Sequence, residues 1–135
     1  MTIQQHEVWS KVSDVVARYA DYCDHGEWGK AAGLFSEDGV FDAQEIFGQV
    51  VQGRPALEEF MATRPAAVAH HPTTFYIEAA KDAEYHVRIK MLVLFNGALS
   101  SIDYQWVMVE AGDDLQIRRQ EIAMVGRVAT GKPRS

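Results

Sequence analysis

Two residues far apart in the chain, Asp24 and His70, carry the side chains of an oriented general base. Asp24 ends an amphipathic stretch, on the side that we expect to be buried. Because an unpaired buried carboxylate is costly, it needs a hydrogen-bond donor, and His70 is the best distant candidate. An aspartate held against a histidine predicts proton transfer by the imidazole ring, for example removal of a proton next to a carbonyl group.

The residues alone leave structural interpretations of both side chains open. Asp24 could cap the helix that follows it, since aspartate is a favoured N-cap residue. His70 could be an ordinary histidine at the entry to a strand, bonded to the backbone. His71 follows it in an extended segment, so the two rings should point to opposite sides and only one of them can meet Asp24.

Apolar residues recur at steps of three and four in the first half of the chain, which predicts helices. We expect them near Gln5 to Cys23, from Trp28 to Phe35, and from Gly53-Arg54-Pro55, where proline suits the first helical position, to Thr63-Arg64-Pro65. A turn at Ser36 to Gly39 and short strands at 40–43 and 49–51 should lie between the second and third helices.

From Pro72 onward the apolar period changes to two, which predicts four strands at 73–79, 84–95, 98–109 and 115–127. Asn96-Gly97 is a strong signal for a two-residue hairpin. Helices followed by an antiparallel meander predict an α+β fold, in which a curved sheet wraps around the N-terminal helices as a cone-shaped, cystatin-like α+β barrel. We expect one domain, residues 1–128, and a flexible tail, residues 129–135.

Both alternating faces of the two central strands are apolar. Met91, Val93 and Phe95 point one way, while Leu92 and Leu94 point the other. A single-layer antiparallel sheet normally leaves one face to water, so we expect a second copy of the chain to cover the outer face, in a homodimer or higher homo-oligomer. The alternative is a surface that tolerates a few exposed apolar side chains.

Composition excludes several classes of function. The net charge of -6 comes with no basic cluster, which argues against nucleic acid. A field that repels anions favours neutral or weakly polar ligands, and we expect a hydrophobic small molecule. Residues 1–11 do not resemble a signal peptide and no segment is long and apolar enough for a membrane span, while Cys23, the single cysteine, permits no intrachain disulfide. A cytoplasmic protein is expected. The histidine spacing indicates no metal site, and no glycine-rich loop indicates a nucleotide cofactor, so we expect neither.

The run from Tyr19 to Asp24 with Trp28, the helix start at Gly53-Arg54-Pro55-Ala56, His70 and the long meander together resemble the SnoaL-like branch of the nuclear-transport-factor-2-like superfamily. The resemblance spans about residues 8–127 and includes scytalone dehydratase, bile-acid dehydratase and hexachlorocyclohexane dehydrochlorinase. It implies a cofactor-independent dehydratase-type lyase acting on a hydrophobic cyclic or polyketide-like β-hydroxy carbonyl compound.

The resemblance also implies roles for particular residues. Asp24 and His70 match the catalytic pair, Tyr19 matches a tyrosine of the bile-acid dehydratase, and Arg119 matches an arginine of the dehydrochlorinase. Arg119 should point inward by alternation with Ile117, although it could instead pair with Glu121 or Asp103. On an ideal helix Tyr19 and Asp24 lie about 140° apart, so they converge only if the helix unwinds near Cys23.

Further residues are expected to bind the substrate, although Cys23 is expected to be an inert core thiol and not a nucleophile. These residues are Cys23, Phe41, Phe60, His71, Met91 and Asp103. Asp103 also looks like the aspartate that a related steroid isomerase keeps protonated to donate a hydrogen bond to its substrate. The alternative functions are therefore an isomerase or cyclase of steroid-like or polyketide-like substrates, and a non-catalytic small-molecule binding protein.

Overall fold

The computed structural model describes residues 3–64 and 67–131, which contain four helices and six strands. In chain order the elements are α1 (Ile3–Asp24), α2 (Trp28–Gly33), β1 (Phe35–Ala43), α3 (Gln44–Phe47), β2 (Gln49–Gln52), α4 (Arg54–Thr63), β3 (Ala69–Lys81), β4 (Glu84–Phe95), β5 (Ala98–Ala111) and β6 (Asp114–Ala129). The strands form one sheet in the order β2-β1-β6-β5-β4-β3. The β1–β6 pair is parallel and the other pairs are antiparallel. The predicted α+β fold, a curved sheet over N-terminal helices, is confirmed, and the sheet is not closed.

Helix α1 places its apolar stripe against the sheet. Val12, Val16, Tyr19 and Cys23 are buried along it, at the three- and four-residue steps that the sequence shows. The helix then ends at Asp24, and Gly26 adopts a left-handed conformation with φ 69°. The predicted helix boundaries are therefore close to those of the structure, and the carboxylate of Asp24 leaves the last turn.

The predicted turn at Ser36 to Gly39 is wrong, because these residues belong to β1. The register against β6 shifts between Phe35 and Val40, so the polar segment is an irregularity within a strand. Gly39 is needed at this point, since a Cβ there would lie 2.9 Å from Cβ of Phe35 and 3.1 Å from the carbonyl oxygen of Ile117. The short helix α3 between β1 and β2 was not expected from the sequence.

Strand β3 begins at Ala69, four residues earlier than Thr73, where the sequence predicts it. His70 therefore lies inside the strand, opposite Val93 of β4, and not before it. Pro72 is accommodated because β3 is an edge strand and its register shifts between Pro72 and Thr74. This early start of the strand holds His70 rigidly against the end of α1.

The Asn96-Gly97 hairpin is confirmed, with Phe95 and Ala98 paired directly across it. Two residues assigned to the expected tail are held by the sheet, because Ala129 belongs to β6 and the N–H of Thr130 donates to the carbonyl oxygen of Gly97 at 3.0 Å. The rest of the predicted tail, residues 132–135, and the predicted helix end at Pro65 lie outside the described residues.

The inward rows of the sheet form the core together with α1 and α4, and β5 contributes Ile102, Tyr104, Trp106 and Met108. Several apolar side chains elsewhere are exposed, among them Tyr76, Val125 and Val128. Coverage of the outer face by a second copy stays a prediction. Among the helices of the described residues, none is long and apolar enough to cross a lipid bilayer.

Candidate active site

Asp24 and His70, 46 residues apart, are in direct contact between the end of α1 and the start of β3. Nδ1 of His70 lies 2.7 Å from Oδ1 of Asp24. The backbone N–H of His70 also donates to the same carboxylate, with its nitrogen 2.9 Å from Oδ1 and 3.1 Å from Oδ2. Two donors from one residue therefore fix the carboxylate, and the predicted contact is observed.

The capping interpretation of Asp24 does not hold, since the N-cap of α2 is Glu27 and no side chain bonds to the helix start there. An ionised carboxylate only accepts hydrogen bonds, so the contact requires the proton of a neutral His70 ring to be on Nδ1. Nε2 of His70 then carries a lone pair, and this nitrogen has no hydrogen-bond partner among residues 3–64 and 67–131. The arrangement leaves one ring nitrogen free to take a proton from a ligand.

Burial lowers the pKa of His70 below its ordinary value of 6.5. Loss of hydration is the largest cause, and the hydrogen bond and charge of Asp24, which favour the imidazolium, do not offset it. The positive charge of Arg64 adds to the lowering. At neutral pH the ring is therefore uncharged, which is the form that a general base requires.

The His70 ring, 6% exposed as a residue, borders a cavity inside the cone. The cavity has a volume of about 10 Å³, room for about one water molecule, and Arg64 and His70 are the wall residues whose side chains can carry a positive charge. The remaining walls are apolar or aromatic and include Phe41, Phe47, Phe95, Ile102, Tyr104 and Ile122. Small-molecule sites typically enclose roughly 300–1,000 Å³, so a cyclic ligand enters only if these side chains move apart.

On its other side the pair borders an open groove between α1 and β3. Trp9 and Phe75, whose rings stack at 5.2 Å, form part of this groove. The side chain of Asp24 is 20% exposed through it, whereas that of His70 is 4% exposed. Water therefore reaches the carboxylate more readily than the ring.

Tyr19 is fully buried and packs edge-on against His70, with ring centroids 6.2 Å apart. Its hydroxyl oxygen accepts a hydrogen bond from Nε2 of Gln120 at 3.0 Å, and Oε1 of Gln120 accepts one from Nε1 of Trp106 at 2.8 Å. Helix α1 continues through Asp24 without unwinding. Tyr19 packs against the ring of His70 and Asp24 bonds to its Nδ1, so both residues contact His70 without the unwinding that an ideal helix would require.

The prediction that Arg119 points inward is wrong. Its guanidinium donates to Oδ2 of Asp42 at 2.6 Å and lies 3.9 Å from Glu121, and its side chain is 41% exposed. The cause is a register shift in β6, where Arg119 pairs with Val107 but Ile117 pairs with Met108, leaving one extra residue. A one-residue shift reverses the faces of a strand, so Gln120 takes the inward position.

Asp103 also faces away from the cavity, so the structure does not bring this expected substrate-binding residue to the cavity wall. Its carboxylate accepts from Nζ of Lys90 at 2.6 Å and lies 3.7 Å from Arg88. It alternates with Tyr104, which points inward and lines the cavity. Two basic side chains contact the Asp103 carboxylate, which does not match an aspartate that donates a hydrogen bond to a substrate in the isomerase comparison.

Of the other residues expected to bind the substrate, some lie at the cavity and others do not. Phe41 lines the cavity, and Phe60 packs against it with centroids 5.6 Å apart. Met91 and Cys23 are buried without lining the cavity, and His71 is exposed and lines neither the cavity nor the groove. Burial raises the pKa of the Cys23 thiol to about 11, so it is protonated at neutral pH, as expected of an inert core thiol.

Arg64 and Tyr104 line the cavity but were not identified from the sequence as site residues. A signal for Arg64 was available, because it follows Leu57, Phe60 and Met61 at seven, four and three residues, on the same buried stripe of α4. Among the described residues, no group of three or more histidine, cysteine, aspartate or glutamate side chains is arranged to hold a metal ion.

Comparison with known proteins identifies the family. A model of the SnoaL-like domain matches residues 5–125. A comparison with curated protein sequences gives no match.

Similar folds occur among solved structures. A candidate scytalone dehydratase from Novosphingobium aromaticivorans DSM 12444 has a TM-score of 0.79 and 18% identity, over 100% of this chain and 99% of that one. An NTF2-like protein with a cystatin-like fold from Novosphingobium aromaticivorans gives 0.76 and 17%, over 91% and 85%. A type 2 hexachlorocyclohexane dehydrochlorinase gives 0.76 and 12%, over 94% and 91%. This chain belongs to the SnoaL-like domain family.

Proposed function

We propose that this protein is a cofactor-independent lyase of the dehydratase type, acting on a hydrophobic cyclic or polyketide-like β-hydroxy carbonyl compound. The observation that carries the proposal is the 2.7 Å contact of Asp24 with His70 at the wall of an apolar cavity. A histidine that is neutral, oriented and free at Nε2 is suited to removing a proton from carbon. The apolar and aromatic walls of the cavity favour a substrate that contains a ring system.

In the proposed reaction Nε2 of His70 removes the proton next to the substrate carbonyl, and the C–H electron pair forms an enolate. The negative charge of Asp24 stabilises the imidazolium while the ring is held by its Nδ1–H. The enolate then expels the β-hydroxyl group, which takes the proton from Nε2 and leaves as water. The C–O bond breaks as the C=C bond forms, so no oxidant or reductant is needed.

The enolate oxygen requires a hydrogen-bond donor, and tyrosine hydroxyl groups provide one in this proposal. Tyr104 lines the cavity, and Tyr19 lies behind it with ring centroids 5.9 Å apart. Burial raises the pKa of Tyr104 to about 12 and raises that of Tyr19 as well, so both phenols keep their protons at neutral pH. Arg119, which pairs with Asp42 outside the cavity, takes no part in this step.

Two of the similar structures are described as elimination enzymes, the candidate scytalone dehydratase and the dehydrochlorinase, which supports a lyase. An isomerase or cyclase would use the same base without losing water. The pairing of Asp103 with Lys90 and Arg88 argues against the steroid-isomerase arrangement. We further propose that the protein acts in the cytoplasm as a homodimer or higher homo-oligomer, covering the outer face of its sheet.

Mass spectrometry tests the reaction. The wild-type protein and the variants Asp24→Asn and His70→Gln are incubated with a panel of β-hydroxy ketones of increasing ring number. Arg119→Met serves as the matched surface control. We expect the wild type and the control to release water from at least one compound, and the two site variants to be slower by about 10²- to 10⁴-fold.

Each other outcome contradicts the proposal in a distinct way. Unchanged turnover in Asp24→Asn refutes the assigned role of that residue. A product of unchanged mass indicates an isomerase or cyclase. Ligand binding without any product across the pH range indicates a carrier.

A further inference from the structure

Arg64 is a charged cavity residue that the proposed reaction does not use. It follows the last residue of α4, and its extended backbone, with φ -67° and ψ 159°, turns the chain out of the helix. Its own N–H still donates to the carbonyl oxygen of Phe60 at 3.0 Å, which anchors the residue. The side chain therefore continues the buried stripe of α4 into the cone and lines the cavity with His70.

The guanidinium group is surrounded by aromatic rings. Its central carbon lies 5.6 Å from the ring centroids of Phe41 and Phe60 and 5.9 Å from that of Phe47. Ring faces attract a cation but accept no strong hydrogen bonds from its five N–H donors. These contacts fix where the group lies and leave donors available to a ligand.

No carboxylate lies within salt-bridge distance of Arg64 in residues 3–64 and 67–131. Its polar neighbours are hydroxyl and thiol groups, and the hydroxyl of Tyr19 is a hydrogen-bond partner that takes one of its five N–H donors. The positive charge of Arg64 favours the ionised forms of Tyr19, Tyr104 and Cys23. Four other arginines each pair with a carboxylate: Arg18 with Asp14, Arg88 with Asp103, Arg118 with Glu84 and Arg119 with Asp42. The cavity arginine thus differs from these surface arginines.

We propose that the cavity binds its ligand through a carboxylate group held by the guanidinium of Arg64. A largely buried cation without an anionic partner is costly, and a planar carboxylate matches its paired N–H donors. The net charge of -6 repels anions at long range, so attraction depends on this local group. The ligand is an aromatic or cyclic carboxylate, because the ring-lined walls surround the charge.

This inference rests on the proposed function where it names the substrate. The substrate class narrows to cyclic β-hydroxy carbonyl compounds that also bear a carboxylate. With that group on Arg64, the rest of the ring extends along the cavity wall that His70 shares. The binding preference itself can be measured without turnover.

The test compares benzoate with benzamide, which have similar shapes but differ in charge at pH 7. Binding is followed by the fluorescence of the tryptophans and by two-dimensional NMR. We expect wild-type protein to bind benzoate at least about tenfold more tightly than benzamide, the size expected for a hydrogen bond to a charged group. Arg64→Met should abolish this preference and Arg64→Lys should keep part of it. Arg118→Met, which removes an exposed arginine paired with Glu84, is the matched control and should leave the preference intact.

The thermal midpoint of the wild type gives a second measurement that needs no variant, since benzoate should raise it more than benzamide at equal concentration. Equal binding of the two probes, no binding of benzoate, or an undiminished preference in folded Arg64→Met overturns the inference. Asp24→Asn should lose turnover but keep the preference for benzoate. If the protein releases water from a substrate but does not prefer benzoate over benzamide, only this inference is contradicted. If it prefers benzoate but releases no water from any substrate, only the proposed reaction is contradicted.

Discussion

Replacement of Asp24 by alanine should destabilise the fold by an amount that follows from its contacts. The carboxylate accepts from Nδ1 of His70 at 2.7 Å and from the backbone N–H of His70 at 2.9 and 3.1 Å. Leaving a buried donor unsatisfied costs about 1–3 kcal/mol. Because Asp24 is 20% exposed through the groove, water compensates in part, and we expect about 2–4 kcal/mol for both donors together. Asp24→Asn keeps one acceptor oxygen and should cost about half as much.

Urea unfolding followed by tryptophan fluorescence measures these free energies. Asp21→Ala is the matched control, since Asp21 lies one turn earlier in α1 and its side chain is 65% exposed beside His25. It should change the free energy of unfolding by less than about 1 kcal/mol. In a double-mutant cycle of Asp24→Asn with His70→Gln we expect a coupling energy of about 1–2 kcal/mol. Additivity within about 0.3 kcal/mol, or a cost for Asp24→Ala no larger than that of the control, refutes the contact.

Four further predictions follow from the same structure. Because burial places the pKa of His70 below 6.5 in the folded state, turnover should hold near pH 7 and fall under more acidic conditions, as a kcat/KM profile would show. Because the pKa of His70 is lower in the folded state, the unfolded state binds protons more readily, and the free energy of unfolding should decrease as pH falls below about 6.5. Urea titrations at several pH values check this dependence, which His70→Gln should reduce. Gln120→Leu leaves the Tyr19 hydroxyl and the Trp106 indole N–H without their partner, and should lower the free energy of unfolding by about 2–4 kcal/mol. Arg119→Met, which breaks an outer pair with Asp42, should lower it by less than about 1 kcal/mol in the same unfolding assay. Sedimentation velocity should detect a dimer that Val125→Glu weakens, and a monomer at all concentrations would contradict the oligomer prediction.

The position of Asp24 could be predicted from the residues, whereas the choice of His70 over its neighbour His71 depended on the family resemblance. The stripe of α1 places Asp24 near the sheet, and a buried carboxylate demands a donor. The spacing does not reveal that the backbone N–H of His70 also donates to it. That contact depends on β3 starting before Pro72, which an edge strand allows.

The orientation of Arg119 could not be predicted, because strand alternation assumes an unbroken register. The extra residue in β6 exchanges the faces of Arg119 and Gln120, and its position depends on how β6 pairs with β1 and β5 together. A bulge of this kind leaves no clear mark in the sequence. The polar chain from Trp106 through Gln120 to Tyr19 was missed for the same reason.

Arg64 shows a different limit of sequence interpretation. Its place on the buried stripe of α4 was readable, but arginine at a helix end usually reaches water. Only the packing of Phe41, Phe47 and Phe60 around the guanidinium distinguishes it from a surface cation. The aromatic rings come from three different elements, β1, α3 and α4, which meet only in the folded chain.

The protonation of the His70 ring tests the central claim most directly, and nitrogen-15 NMR can measure it without knowledge of the substrate. The five histidines are labelled in the ring, and the His70 signals are assigned by their absence in His70→Gln. At pH 7 we predict a neutral ring with its proton on Nδ1, bonded to Asp24, and with Nε2 unprotonated. A ring protonated on Nε2 alone, or on both nitrogens, would contradict the account, because no lone pair would then be available to accept a proton from the substrate.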